Sequence, residues 1–149
     1  AILGQVVLKD AKKLKALEAL VHPLAGQAQM QFLAEQEKAG QPAVLLDIPL
    51  LFETGGQDYV DCVVVVSAPF ELQRERVLAR PGMSEERFMD ILAKQVPDET
   101  KREAADFIVD SSISVEDAHA QVRAIVQAIS GRDGQAYEAR KSRSGPRNQ

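Results

Sequence analysis

At 149 residues the chain has room for one domain that buries roughly two thirds of the surface exposed when unfolded. It is 45% hydrophobic and 27% charged, as a soluble globular protein would be, and with no tryptophan its core must be aliphatic. A net charge of −4 gives no electrostatic basis for binding nucleic acid or a membrane surface, and the lone Cys62 excludes an internal disulfide. No apolar stretch reaches the roughly 18–20 residues of a transmembrane helix, and the opening does not read as a signal peptide. A cytoplasmic location is therefore expected, with Cys62 a buried thiol.

Leu14, Leu17, Val21, Leu24 and Ala28 keep a helical period that Pro23 interrupts. Two helices are predicted, over about 10–20 and about 23–38, because proline is tolerated in a first turn. Gly40 closes the second. "AVLLDI" (43–48) and "CVVVVS" (62–67) are short, continuous apolar runs, the pattern of parallel strands covered on both faces. "APFELQRERVLAR" (68–80) reads as a charged helix, "PGM" breaks it, and Ser84 caps a helix carrying Phe88, Ile91 and Leu92. "DFIVD" (106–110) is a third strand. Ser114 and Asp117 start a helix in the manner of a capping box, and Gly131 ends it. Residues 132–149 hold five Lys+Arg against two Asp+Glu and read as a basic disordered tail.

Strands alternating with helices predict an α/β fold, a parallel sheet with flanking helices. Yet about forty residues of helix precede the first strand, and three strands make a thin sheet. Either the fold is small and irregular, or strands that belong first are absent. Asp47 poses a second question, since it leaves an apolar run where an unpaired carboxylate would cost several kcal/mol. Either it emerges into solvent or it faces a cleft at the strand's exit, where open α/β sheets bind ligands.

Five segments together resemble the dephospho-CoA kinase family of P-loop kinases. "LEALVHPL" (17–24) is similar to its helix ending in His-Pro, and "LLDIPLLFETG" (45–55) to its most recognisable block. "ELQRERVLAR" (71–80) and "SEERFMDILAKQ" (84–95) resemble lid segments, and "KREAADFIVD" (101–110) the last strand. The match runs from about Leu3 to Val126. It implies a P-loop-kinase-like three-layer fold with a helical lid, its N-terminal strands absent. Residues 1–131 would be the C-terminal two thirds of such a domain: 1–41 a helical acceptor-side segment, 42–67 core strands, 68–96 the lid, and 97–131 the last strand and helix.

The resemblance implies transfer from ATP, with Mg2+, to the ribose 3′-hydroxyl of dephospho-CoA. ATP and dephospho-CoA would be the partners, with no nucleic acid or membrane. Arg76 and Arg80, spaced i, i+4, are a solvated charged face by themselves and lid arginines by resemblance. Asp47 would orient Mg-bound water or accept a substrate hydrogen bond. Pro49, Leu50, Leu51 and Phe52 would line an apolar acceptor surface, core packing being their alternative. Glu53 would pair with a lid or substrate-side cation. His22 is a helix cap or a ligand contact. Ser111 stands near where the family meets adenine, although many members have Asn and Gly where this chain has Ser111 and Ile113. Ile91 likewise replaces a lid arginine, so its role would pass to Arg76, Arg80 or Arg87.

The departure is larger still. Such a kinase cradles phosphate with G-x-x-x-x-G-K-[ST], and none of the nine glycines here precedes a lysine. The chain by itself is expected to be inactive. Two rivals remain: a kinase of the nucleoside-monophosphate type and a non-catalytic binding or interaction module.

Overall fold

The computed structural model describes residues 10–144, so the start of the resemblance at Leu3 and the last five residues lie outside the described residues. The chain divides into two units, residues 1–45 and 46–149.

The first unit is built on one helix, α1 (Ala11–Lys38), not the two expected. Asp10 caps it, its carboxylate accepting from Lys12 N–H at 3.0 Å and Lys13 N–H at 3.2 Å. Pro23 lies inside. Its ring already has helical φ, so the cost is one lost i→i−4 hydrogen bond and a clash, about 3 kcal/mol. Long runs of Ala, Leu, Lys, Glu and Gln on both sides carry the helix through that cost. Gly40 ends it with φ of 67°, as anticipated.

Residues 43–48 form no strand, against expectation. A strand exists only through its ladder, and no described strand pairs with this segment. Exposure alternates along it: Val44, Leu46 and Ile48 are half-buried, while Asp47 is exposed and Leu45 is 87% exposed. Asp47 therefore shares the open phase of the alternation.

In the second unit β1 (Val64–Ser67) pairs in parallel with β2 (Phe107–Asp110), Val64 opposite Phe107 and Ser67 opposite Asp110. Between them run α2 (Phe70–Leu78), α3 (Glu85–Leu92) and α4 (Asp98–Glu103), as a parallel pair requires. Val63, Val65 and Val109 are buried, whereas Val64, Val66 and Ile108 are exposed. One sheet face is thus covered rather than both. Cys62, too, is only half-buried; burial and the Asp106 carboxylate push its thiol pKa up.

Ser84 caps α3 by accepting from Arg87 N–H at 3.2 Å, and Phe88 packs inward at 5% exposure, 5.9 Å from the Phe70 ring. Arg74 makes a two-pronged ion pair with Glu85, joining α2 to α3. Helix α5 (Val115–Ile129) starts at Ser114, whose hydroxyl accepts from Asp117 N–H at 3.0 Å and donates to the Asp117 carboxylate. The second bond of this cap thus closes through side chains.

The expected disordered tail is corrected over part of its length. Residues Ala136–Ser144 form α6, beside the 3-10 turn Gly56–Tyr59. A nine-residue helix is too short to hold itself in water. What holds it is the Asp61 carboxylate, which accepts from Gln135 N–H at 2.5 Å and Ala136 N–H at 2.8 Å. Composition along 132–149 could not reveal a cap supplied some seventy residues upstream.

Candidate functional site

The C-terminal ends of β1 and β2 carry a polar cluster, the place where parallel sheets present ligands. Ser111 continues the ladder, its N–H donating to Ser67 O at 2.9 Å and its hydroxyl to the same oxygen at 3.0 Å. Buried Ser67 donates its own hydroxyl to Asp98 Oδ2 at 2.8 Å. Arg76 reaches across from α2, Nη1 donating to Ser111 Oγ at 3.2 Å and Nη2 to Ser111 O at 2.8 Å. Arg76, expected as a lid arginine, and Ser111, expected near the adenine, are therefore brought together. In this arrangement Arg76 braces α2 against the strand end.

Arg80, one turn further, is exposed and its guanidinium makes no hydrogen bond or ion pair with a described residue. It sits where α2 runs out, followed by Gly82 at φ 76°. A free planar fork beside a glycine turn is equipped to meet an anion. Arg87 lacks that freedom, donating to Gly82 O at 3.3 Å.

The segment Pro49–Gly56 folds on itself. Thr54 N–H and hydroxyl both donate to Leu50 O, at 3.2 and 2.8 Å, and Gly56 N–H donates to Leu51 O at 2.7 Å. Gly55 has φ of 69°, which favours glycine, and a Cβ on Gly56 would lie 2.7 Å from Leu51 Cδ1, so a larger residue there would make the Leu51 side chain shift. The winding leaves Pro49 and Leu50 exposed while Leu51 and Phe52 are half-buried. Leu50 thus presents an apolar surface, and Leu51 and Phe52 divide themselves between surface and packing.

Glu53 is engaged with its own protein. Its Oε1 accepts from Val96 N–H at 2.9 Å and pairs with Lys101 Nζ at 2.8 Å, the side chains 13% and 17% exposed. The Lys101 bond holds the Glu53 carboxyl below its usual pKa. Its Oε2 is buried and unpartnered among the described residues, as is Gln57 Oε1. The expected cation exists, but it lies on α4 and its service is to anchor the loop. Sequence reading missed α4 itself, although "VPDET" carries a start signal, proline followed by two acids.

Asp47 is exposed and makes no hydrogen bond or ion pair with a described residue. No group of three or more His, Cys, Asp or Glu able to hold a metal occurs among the described residues. His22 lies mid-helix on α1 of the first unit, exposed, so the cap reading is corrected. No described helix is long and apolar enough to cross a membrane.

The family model of dephospho-CoA kinase matches residues 1–117. The chain is 57% identical over 134 residues to the dephospho-CoA kinase of Mesorhizobium japonicum, covering 90% of this chain and 68% of that one. With the enzyme of Rhodopseudomonas palustris it shares 48% identity over 128 residues, 86% of this chain and 64% of that one. Among solved structures it resembles a Thermus thermophilus protein (36% identity, TM-score 0.73) over 87% of this chain and 66% of that one. It also resembles the dephospho-CoA kinase of Campylobacter jejuni (30% identity, TM-score 0.62) over 87% of this chain and 64% of that one. The chain spans about two thirds of the length of these relatives. A family-model match over most of its length, with a relative 57% identical and solved relatives of the same fold, has one meaning: this chain belongs to the dephospho-CoA kinase family.

Proposed function

We propose that the chain serves the ATP-dependent phosphorylation of the ribose 3′-hydroxyl of dephospho-CoA, contributing the lid and the acceptor surface of that reaction. The observation that carries this reading is the family match over residues 1–117. In it, Leu50, flanked by Pro49, Leu51 and Phe52, meets the apolar part of the acceptor, and Glu53 fixes the loop's shape. Arg80 swings from the end of α2 to donate to phosphate oxygens as negative charge grows in the transition state. Arg76 holds α2 to the strand end, placing Arg80's sweep above Ser111, where the nucleotide's base or ribose lies. The setting is the cytoplasm and the partners are small molecules.

Asp47 suits Mg2+ held through water, since that ion keeps several waters and takes one or two carboxylates beside substrate phosphates. Bound there, Mg2+ would neutralise phosphate charge. Asp47 itself would orient a metal-bound water or accept the hydrogen bond of the acceptor hydroxyl.

The 149 residues alone contain no phosphate cradle, and no distal arginine replaces its backbone donors and lysine. Two measurements test the proposal. Purified alone, the chain should give no measurable transfer from ATP to dephospho-CoA. Joined to a strand and G-x-x-x-x-G-K-[ST] segment from a relative, it should form CoA. A joined protein that instead phosphorylates nucleoside monophosphates and ignores dephospho-CoA would overturn the acceptor assignment.

A further inference from the structure

We infer that Asp61 is a positioning residue: by capping α6 from outside that helix, it makes residues 132–144 a clasp on the loop of residues 50–61. The family match ends at residue 117, so α6 lies beyond the part that identifies the chain. Three observations converge. The Asp61 carboxylate takes the two backbone donors at the start of α6, at 2.5 and 2.8 Å, where helix N–H groups lack partners of their own. Gly134 makes the approach feasible, because a Cβ there would stand 2.9 Å from Asp61 Oδ2. One turn into the helix, the Arg140 guanidinium lies over the Tyr59 ring, 5.9 Å from its centre.

The chain between these contacts is short. Tyr59 ends the 3-10 turn that begins at Gly56, and Gly56 N–H is bonded to Leu51 O at 2.7 Å. Holding residues 59 and 61 therefore limits the freedom of Leu51 and its neighbour Leu50. With Glu53 fixed on the other side by Lys101 and Val96, the loop is tied at both flanks. The acceptor consequence rests on the function proposed above: an untied loop presents Leu50 less well and binds dephospho-CoA more weakly.

Hydrogen exchange and dephospho-CoA titration on the full 149-residue chain decide both halves. Asp61→Ala, and separately deletion of residues 132–149, should speed exchange at residues 50–61 on the order of tenfold. Residues 115–129 should be unchanged. Asp61→Asn keeps an acceptor oxygen without the charge and should fall between. Should Asp61→Ala fail to fold, Gln135→Pro removes one of the two donors and leaves the loop's own sequence intact. Faster exchange confined to residues 135–144 would overturn the clasp, leaving α6 a passenger. Faster exchange at 50–61 with unchanged dephospho-CoA affinity would overturn its bearing on the acceptor; a weakening of about three- to tenfold is expected. A parent chain that binds no dephospho-CoA would refute the acceptor reading of the loop, while the exchange result alone would still decide the clasp.

Discussion

The loop of residues 49–61 and the bend of residues 79–83 stand in contrast. The loop is anchored by distant partners: Glu53 to Val96 and Lys101, Asp61 to the start of α6. Among the described residues the bend has only short-range bonds, such as Met83 N–H to Arg80 O at 3.2 Å. A tied surface keeps its shape before a ligand arrives, so little ordering remains to be done on binding. An untied bend can carry Arg80 between positions at small cost. Arg74–Glu85 and Phe70 on Phe88 hold α2 to α3, and Arg76 ties α2 to the strand end, so the freedom lies in the bend itself.

The sharpest way to break this contrast is Arg80→Lys in the joined, active protein. A single ammonium cannot reproduce the guanidinium fork, so kcat should fall on the order of 10²-fold. The KM for dephospho-CoA should stay within a few fold. A changed KM with normal kcat would place Arg80 at the acceptor instead of in the lid.

Glu53→Gln attacks the other side. With both partners largely out of water, losing the charge should cost on the order of 2 kcal/mol in urea unfolding of the chain. The pH dependence has a definite sign. Glu53's folded pKa is lowered, so its contribution is present above the unfolded carboxyl value and is lost as pH falls through the folded one. The gap between parent and Glu53→Gln should therefore narrow on acidification. A constant gap from neutral to acid pH would mean that the amide loses shape complementarity alone.

Asp47→Asn should lower Mg-dependent turnover of the joined protein on the order of tenfold, with unfolding unchanged because the side chain is exposed and unpaired. Normal turnover across a magnesium titration would return Asp47 to the status of a solvated charge. The smallest effect is expected from Arg74→Ala, an exposed pair whose loss should lower the melting temperature slightly, and less so in high salt. A large, salt-independent drop would show that the α2–α3 pair depends on that bond.

What could be read from the sequence divides along physical lines. The strand cores of β1 and β2, helices α2 and α3, the Ser84 and Ser114 caps and the glycine stops at 40 and 131 rest on residues within a few positions of one another. They were legible. Residues 43–48 have the composition of a strand but lack a described ladder partner, and α6 has the composition of a coil but gains a cap from Asp61. Glu53 was recognisable as a carboxylate seeking a cation, whereas Lys101 as its partner depended on α4 folding beneath the loop. Pro23 misled because its penalty is fixed while the helix around it sums many small preferences.

One small feature bears on how the protein behaves in a crowd. On the side of β2 away from β1, Asp110 N–H donates to Gln121 Oε1 at 2.9 Å and Asp110 O accepts from Gln121 Nε2 at 3.0 Å. A side-chain amide thus occupies the place where the backbone of another polypeptide would otherwise add itself. Strand edges with free donors and acceptors recruit further strands, and such recruitment is how ordered chains become insoluble fibres. Gln121 stops that growth with two hydrogen bonds, and Gln121→Leu would remove both while adding an apolar group beside them. The variant should keep its fold in dilute solution and turn cloudy sooner when concentrated.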